Sequence, residues 1–152
     1  MAPSSRRLLL LIFCGVSVLF AADPMLGTWT LNLARSHYYP GPTPKSQVRV
    51  YESSDEGTQE VVTTVNANGE TVKVIFPGIY DGRDYPVTGS SQYDTIALHR
   101  LDDYVAEAIL KHAGRNIAVA RRVIAPDGKT MTITVKSTDP SDPILFLVRL
   151  PL

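Results

Sequence analysis

Apolar and polar residues alternate with a period of two along most of this chain. The alternation is clear in residues 28–33, 47–51, 71–76 and 130–136. A period of two is typical of strands that bury one face and expose the other. Turn-forming residues recur roughly every 8 to 12 positions between these segments, which is the spacing of an all-β domain.

Other segments complete the pattern with less regular alternation. Further strands are predicted at 60–65, 95–99, 116–125 and 144–150, and turns at 66–69 and 126–129. Residues 104–111 have a helix-favouring composition, but the run is short and ends in His112-Ala113-Gly114-Arg115. We predict a strand there, and a long loop over 77–92, where Gly, Pro, Asp and Tyr are concentrated.

The fold class that follows is all-β, an antiparallel meander of eight to ten strands. Closing such a meander into a barrel removes the unpaired strand edges that an open sheet exposes. A small closed barrel with room for one ligand is therefore the expected architecture. A two-sheet β-sandwich is the alternative.

The N-terminus has the layout of a secretory signal peptide. Arg6-Arg7 precedes an apolar run over 8–20, and Ala21-Ala22 follows. The run is shorter than the roughly 20 apolar residues that span a bilayer. We therefore expect 1–22 to be removed, leaving no stable membrane anchor, and 23–152 to form one exported domain, periplasmic or extracellular.

Charge and cysteine content narrow the possible partners. Arg6 and Arg7 lie in the signal, which leaves 13 of the 15 basic residues against 15 acidic ones. Nucleic acid is not expected as a partner, because proteins that bind it carry clustered positive charge. The single cysteine, Cys14, also lies in the signal, so the exported domain depends on core burial and is expected to be a monomer.

Residues 27–32, 80–89 and 125–132 together resemble a group of small secreted bacterial proteins often described as lipocalin-like. The resemblance implies a lipocalin-like (calycin-like) barrel. In lipocalins a Trp of the first strand closes one barrel end beneath a basic residue of the last strand. Trp29 and Arg149 match these two positions, and the resemblance implies that they form the barrel plug.

Candidate ligand-binding residues come from the 77–92 loop and from one strand. Tyr80, Arg83 and Tyr85 lie in that loop, and aromatic residues with a few polar groups suit a pocket mouth. In the pair Arg121-Arg122, alternation forces one arginine inward, where its charge needs a partner. That partner is either an anionic ligand group, for which Arg121 is the candidate, or a buried carboxylate such as Glu107.

No catalytic, metal or cofactor motif is present. His37, His99 and His112 lack the paired spacing of zinc ligands, and no serine lies in a Gly-x-Ser-x-Gly turn. No metal, no cofactor and no catalytic residue are expected. An exported protein holding a small hydrophobic ligand in a barrel interior is the leading interpretation. An enzyme using Asp84, His99 or Tyr85, and a ligand-free structural or interaction protein, are the alternatives.

Overall fold

A computed structural model describes residues 23–39, 41–55, 57–139, 141 and 145–151, the last of these by backbone alone. The predicted signal at 1–22 lies outside the described residues. Across the described part, the chain is all-β apart from one 3-10 turn at Leu33–Arg35. The strands are β1 (Gly27–Thr30), β2 (His37–Tyr39), β3 (Ser46–Ser54), β4 (Gly57–Val65), β5 (Thr71–Pro77), β6 (Asp81–Pro86), β7 (Thr95–Arg100), β8 (Val105–His112), β9 (Arg115–Ile124), β10 (Thr130–Ser137) and β11 (Leu145–Pro151).

The strands form two antiparallel sheets. The first has four strands in the order β1-β3-β4-β5, and the second has seven in the order β2-β11-β10-β9-β8-β7-β6. Consecutive strands pair as hairpins in β3–β4–β5 and throughout β6 to β11. β2 pairs with β11 in the second sheet, whereas β1 belongs to the first.

The predicted closed barrel is wrong for the described residues, and the arrangement is the sandwich-like alternative. Neither sheet closes on itself, and one isolated bridge between Ile75 and Thr88 joins β5 to the segment after β6. Proline explains why this pairing does not lengthen. Pro77 ends β5 and Pro86 ends β6, and neither has the backbone N–H that a ladder needs.

Two strands differ from the sequence-based expectation. β6 lies within the segment predicted as loop, 77–92, and β2 occupies residues that the alternation did not assign. β6 is an edge strand with a register shift between Asp81 and Asp84, so its side chains show no apolar period. The prediction for 104–111 is confirmed, because β8 covers 105–112 and pairs with both β7 and β9.

A glycine fixes the approach of the segment after β6 to the first sheet. Gly89 has a φ of +85°, and a Cβ added there would overlap the carbonyl oxygen of Lys73 on β5. Only glycine adopts this backbone conformation without strain while leaving that space free. Gly89 therefore supports the bridge at Ile75 and Thr88, where the two sheets meet.

The core lies between the inner faces of the two sheets. Large buried side chains come from both: Trp29, Tyr51, Val62 and Phe76 from the first sheet, and Ile96, Leu98, Ile124, Met131 and Ile133 from the second. Four buried alanines, Ala106, Ala108, Ala118 and Ala120, lie at neighbouring positions on β8 and β9. Their small side chains leave depth between the sheets for larger groups from the opposite face.

Trp29 is fully buried, as predicted, and its indole N–H donates to the backbone carbonyl of Met25 at 3.1 Å. Met25 is itself buried. The indole therefore ties the segment before β1 onto the core. The side chain of Arg149 lies outside the described residues, so its stacking on Trp29 stays a prediction.

Replacing Trp29 by alanine should cost about 3–5 kcal/mol of unfolding free energy, because a large core side chain and its hydrogen bond are lost. Trp29→Phe keeps most of the ring volume and should cost less. Urea melts of both variants measure the difference. The wild-type emission, which comes from a single tryptophan, should be blue-shifted, and a red-shifted spectrum would contradict the burial of Trp29.

Candidate functional site

A buried ion pair joins the two sheets through the core. Glu60 of β4 is fully buried and Arg122 of β9 is 3% exposed, with Arg122 Nη1 at 2.6 Å from Glu60 Oε1. Alternation explains how both charges point inward. Glu60 shares its face of β4 with buried Val62, and Arg122 shares its face of β9 with Ala120. The two residues are therefore fixed by strand register.

Aromatic rings of the first sheet flank the arginine. The guanidinium carbon of Arg122 lies 5.7 Å from the centroid of the Tyr51 ring and 5.9 Å from that of Phe76. Ring faces at this distance attract a cation, most strongly where water is excluded. Burial is the largest single effect and acts to lower the pKa of Arg122, but the Glu60 carboxylate together with Tyr51 and Tyr80 more than offsets it, so the pKa is raised. Arg122 is therefore charged.

Tyr80 extends the pair toward the protein surface. Its hydroxyl lies 3.3 Å from Glu60 Oε1 and 3.7 Å from Met25 Sδ. Burial, and then the charge of Glu60, raise the pKa of Tyr80 above its usual range, so the phenol keeps its proton and can donate it. The guanidinium of Arg100 lies 4.7 Å from the Tyr80 ring centroid and forms an ion pair with Asp23.

This constellation retains unused hydrogen-bonding capacity. Among the described residues, Glu60 Oε2, Arg122 Nε and Arg100 Nη1 are buried without a hydrogen-bond partner. Buried polar atoms are normally satisfied by protein or by ordered water. At these three atoms the interior can form further hydrogen bonds, two as a donor and one as an acceptor.

A second polar group, the Arg49 cluster, consists of Arg49, Gln47, Thr64, Tyr38 and Tyr93. The Gln47 amide nitrogen donates to Thr64 Oγ1 at 3.0 Å, and Arg49 Nε donates to Gln47 Oε1 at 3.0 Å. Burial raises the pKa of Tyr38 and of Tyr93, and in each case the charge of Arg49 opposes the rise. The positive charge of Arg49, on the inner face of β3, therefore favours the ionised form of both phenols.

The structure does not bring the sequence-predicted ligand residues together. Tyr80 is partly buried against the core, whereas the Arg83 side chain is 83% exposed beside Asp81. The Tyr85 hydroxyl donates to Asp81 at 2.9 Å. Arg121 faces outward and pairs with Glu107 at 2.6 Å. The inward arginine of the Arg121-Arg122 pair is Arg122, and its carboxylate partner is Glu60, not Glu107.

The residues considered for acid–base chemistry also lie on the outside. Asp84 is paired with Lys111 at 2.6 Å, and His99 is exposed, with its ring against Gly82. Tyr85 is engaged with Asp81 as above. Within the described ranges, no three His, Cys, Asp or Glu side chains cluster closely enough to hold a metal ion.

A surface groove of about 470 Å³ lies beside the bridge between Ile75 and Thr88. It is lined by the end of β5, the β3–β4 turn and the segment after β6, including Asp55, Gln59, Ile75, Pro77 and Thr88. Its volume falls in the range of small-molecule pockets, roughly 300–1,000 Å³. The groove contains a single charged side chain and does not reach the Arg49 cluster.

Sequence reasoning missed Glu60, Gln47 and Arg49 as interior residues. The signal was present in the alternation, since 47, 49 and 51 share one face of β3, and Glu60 shares a face with Val62. A charged residue at an inward position is unusual enough to mark a candidate site. Its partner, however, lies on the other sheet and is set by how the sheets pack.

Comparison of the chain with protein-family models, with curated proteins and with solved structures finds no match. Among the residues that the structure describes, no helix is long and apolar enough to cross a membrane. The site is therefore interpreted from its own geometry.

Breaking the Glu60–Arg122 pair should be more costly than removing it. We expect Glu60→Leu and Arg122→Met each to lose about 3–5 kcal/mol of stability, since each leaves a buried charge without its partner. The double variant should regain much of that loss, because it leaves neither charge buried. Urea melts give the coupling free energy, and additive effects of the two substitutions would contradict an energetically coupled pair.

Proposed function

We propose that this is an exported protein that binds a small, largely apolar molecule between its two sheets. The observation that carries the proposal is a set of inner-face apolar side chains that remain partly exposed. Tyr38, Val74, Leu110 and Val135 pack against the core, yet each remains partly exposed. Inward-facing apolar side chains that stay accessible offer surface for a ligand to cover.

The lining of this region also fits a binding role. The buried alanines of β8 and β9 keep the inner face of the larger sheet shallow beside Leu110 and Val135. Apolar walls with a few fixed polar groups are the usual composition of a small-molecule site. The resemblance of 27–32, 80–89 and 125–132 to lipocalin-like secreted proteins points in the same direction.

Binding is tested with the uncharged fluorescent probe N-phenyl-1-naphthylamine and with native mass spectrometry of the purified protein. We expect saturable probe fluorescence and a mass that includes a bound small molecule. Leu110→Trp should weaken probe binding about tenfold, a loss of about 1.4 kcal/mol, because the larger ring fills space on the inner face.

Val123→Trp is the matched control on the neighbouring strand. Val123 is 37% exposed on β9 and faces outward, so this variant should bind the probe like the wild type. Urea melts establish that both variants fold, and Val135→Phe provides a second inner-face substitution. Absence of probe binding to the wild type would instead favour a structural or interaction protein.

Export is tested by expressing the full chain in a bacterial host. We expect the intact mass of the recovered protein to be that of the chain without its first 21 or 22 residues, because signal peptides are cleaved after small residues such as Ala21 and Ala22. Replacing Arg6 and Arg7 by glutamate removes the positive start and should reduce processing. Recovery of the full-length mass from the cytosol alone would refute the signal peptide.

A further inference from the structure

One inward-facing cation has no carboxylate partner in the part of the chain that the structure describes. Arg122 pairs with Glu60, and Arg100 pairs with Asp23. Arg49 makes no ion pair with any described residue and is only partly exposed, on the inner face of β3. A charge in this position is costly unless an opposite charge or strong hydrogen bonds offset it.

The protein holds this guanidinium in one orientation. Gln47 is 9% exposed, and its amide nitrogen is engaged by Thr64, so its carbonyl oxygen is turned toward Arg49 Nε. With Nε occupied, the two terminal nitrogens are left at the far edge of the group. The two terminal nitrogens at this edge can donate two parallel hydrogen bonds to a carboxylate.

The surroundings of Arg49 combine polar and apolar groups. In the strand register, Arg49 lies between Trp29 of β1 and Val62 of β4, and Val74 of β5 is next in the same row. Its charge acts on the hydroxyls of Tyr38 and Tyr93. The cation is thus placed at the apolar region that the proposed ligand would cover.

We infer that Arg49, held by Gln47, binds the carboxylate of an apolar ligand whose tail lies between the two sheets. This inference rests on the proposed function and adds the chemical class of the ligand, an amphiphile with one acidic head group. The charge of the ligand supplies the partner that the chain does not provide for Arg49. A neutral molecule of the same length leaves the guanidinium uncompensated and binds more weakly.

The test is displacement of N-phenyl-1-naphthylamine by decanoate and by decanol, which have the same chain length and differ in charge. We expect wild-type protein to prefer decanoate by about tenfold, in keeping with a hydrogen-bonded charge pair. Arg49→Gln should abolish that preference, measured as the ratio of the decanoate and decanol affinities of the same variant. Arg49→Lys, which keeps the charge but loses the two-pronged geometry, should retain part of it.

Arg115→Gln is the control for loss of one positive charge, since Arg115 is exposed at the start of β9. It should keep the full preference for decanoate. Equal displacement by both compounds, or an unchanged preference in Arg49→Gln, overturns the role of Arg49 while leaving apolar binding intact. A wild-type protein from which neither compound displaces bound probe, or that binds no probe, overturns the proposed function itself. Urea melts show whether Arg49→Gln and Arg49→Met are folded. Arg49→Met replaces Arg49→Gln in the comparison if the latter does not fold.

Discussion

The ion pair between Glu60 and Arg122 is the constraint on which the arrangement of the two sheets depends. Among the described residues, the sheets share one isolated bridge at their edge, between Ile75 and Thr88, so backbone pairing contributes little to their association. Contacts between the two inner faces therefore have to hold the sheets together. The ion pair is one of these contacts, with Arg122 Nη1 at 2.6 Å from Glu60 Oε1. A shift of either strand by one residue would carry its charge to the outer face and leave the other charge buried alone. The pair therefore specifies register as well as contact.

The same pair organises the beginning of the domain. Tyr80 reaches Glu60 from the link between β5 and β6, and Arg100 covers the Tyr80 ring while pairing with Asp23. Asp23 thus fixes the segment before β1, whose Met25 carbonyl accepts the indole hydrogen bond of Trp29. The path contains two ion pairs, Glu60–Arg122 and Asp23–Arg100, with the uncharged Tyr80 between them, so each charged group lies beside one of opposite sign. Such a series is less costly to bury than the separate charges would be.

Alternation in the sequence predicted most strands because it reports which residues share a face. The strand at 104–111 was predicted instead from the shortness of its run and the turn-forming residues that follow, against a helix-favouring composition. The structure has it because pairing with two neighbours outweighs weak propensity. Alternation did not identify β6, an edge strand whose exposed side chains carry no apolar period. It also could not decide between barrel and sandwich. That outcome depends on whether the sheets pair along both seams, β5 with β6 and β1 with β2. At the first seam, prolines at the ends of both strands keep the pairing short.

The candidate site was harder to predict than the fold for a related reason. In the sequence, alternation leaves open which of Arg121 and Arg122 faces inward, and it favours Val48 and Val50 over Arg49 as inward residues. It also contains no information on what an inward arginine meets across the interior. Packing of the two sheets gives Arg122 a carboxylate from β4 and gives Arg49 only the amide of Gln47 on its own strand. The two inward arginines thus differ in their electrostatic surroundings. The first is neutralised within the chain and holds the sheets in register, whereas the second, which has no carboxylate partner among the described residues, is the interior charge suited to recognise a ligand.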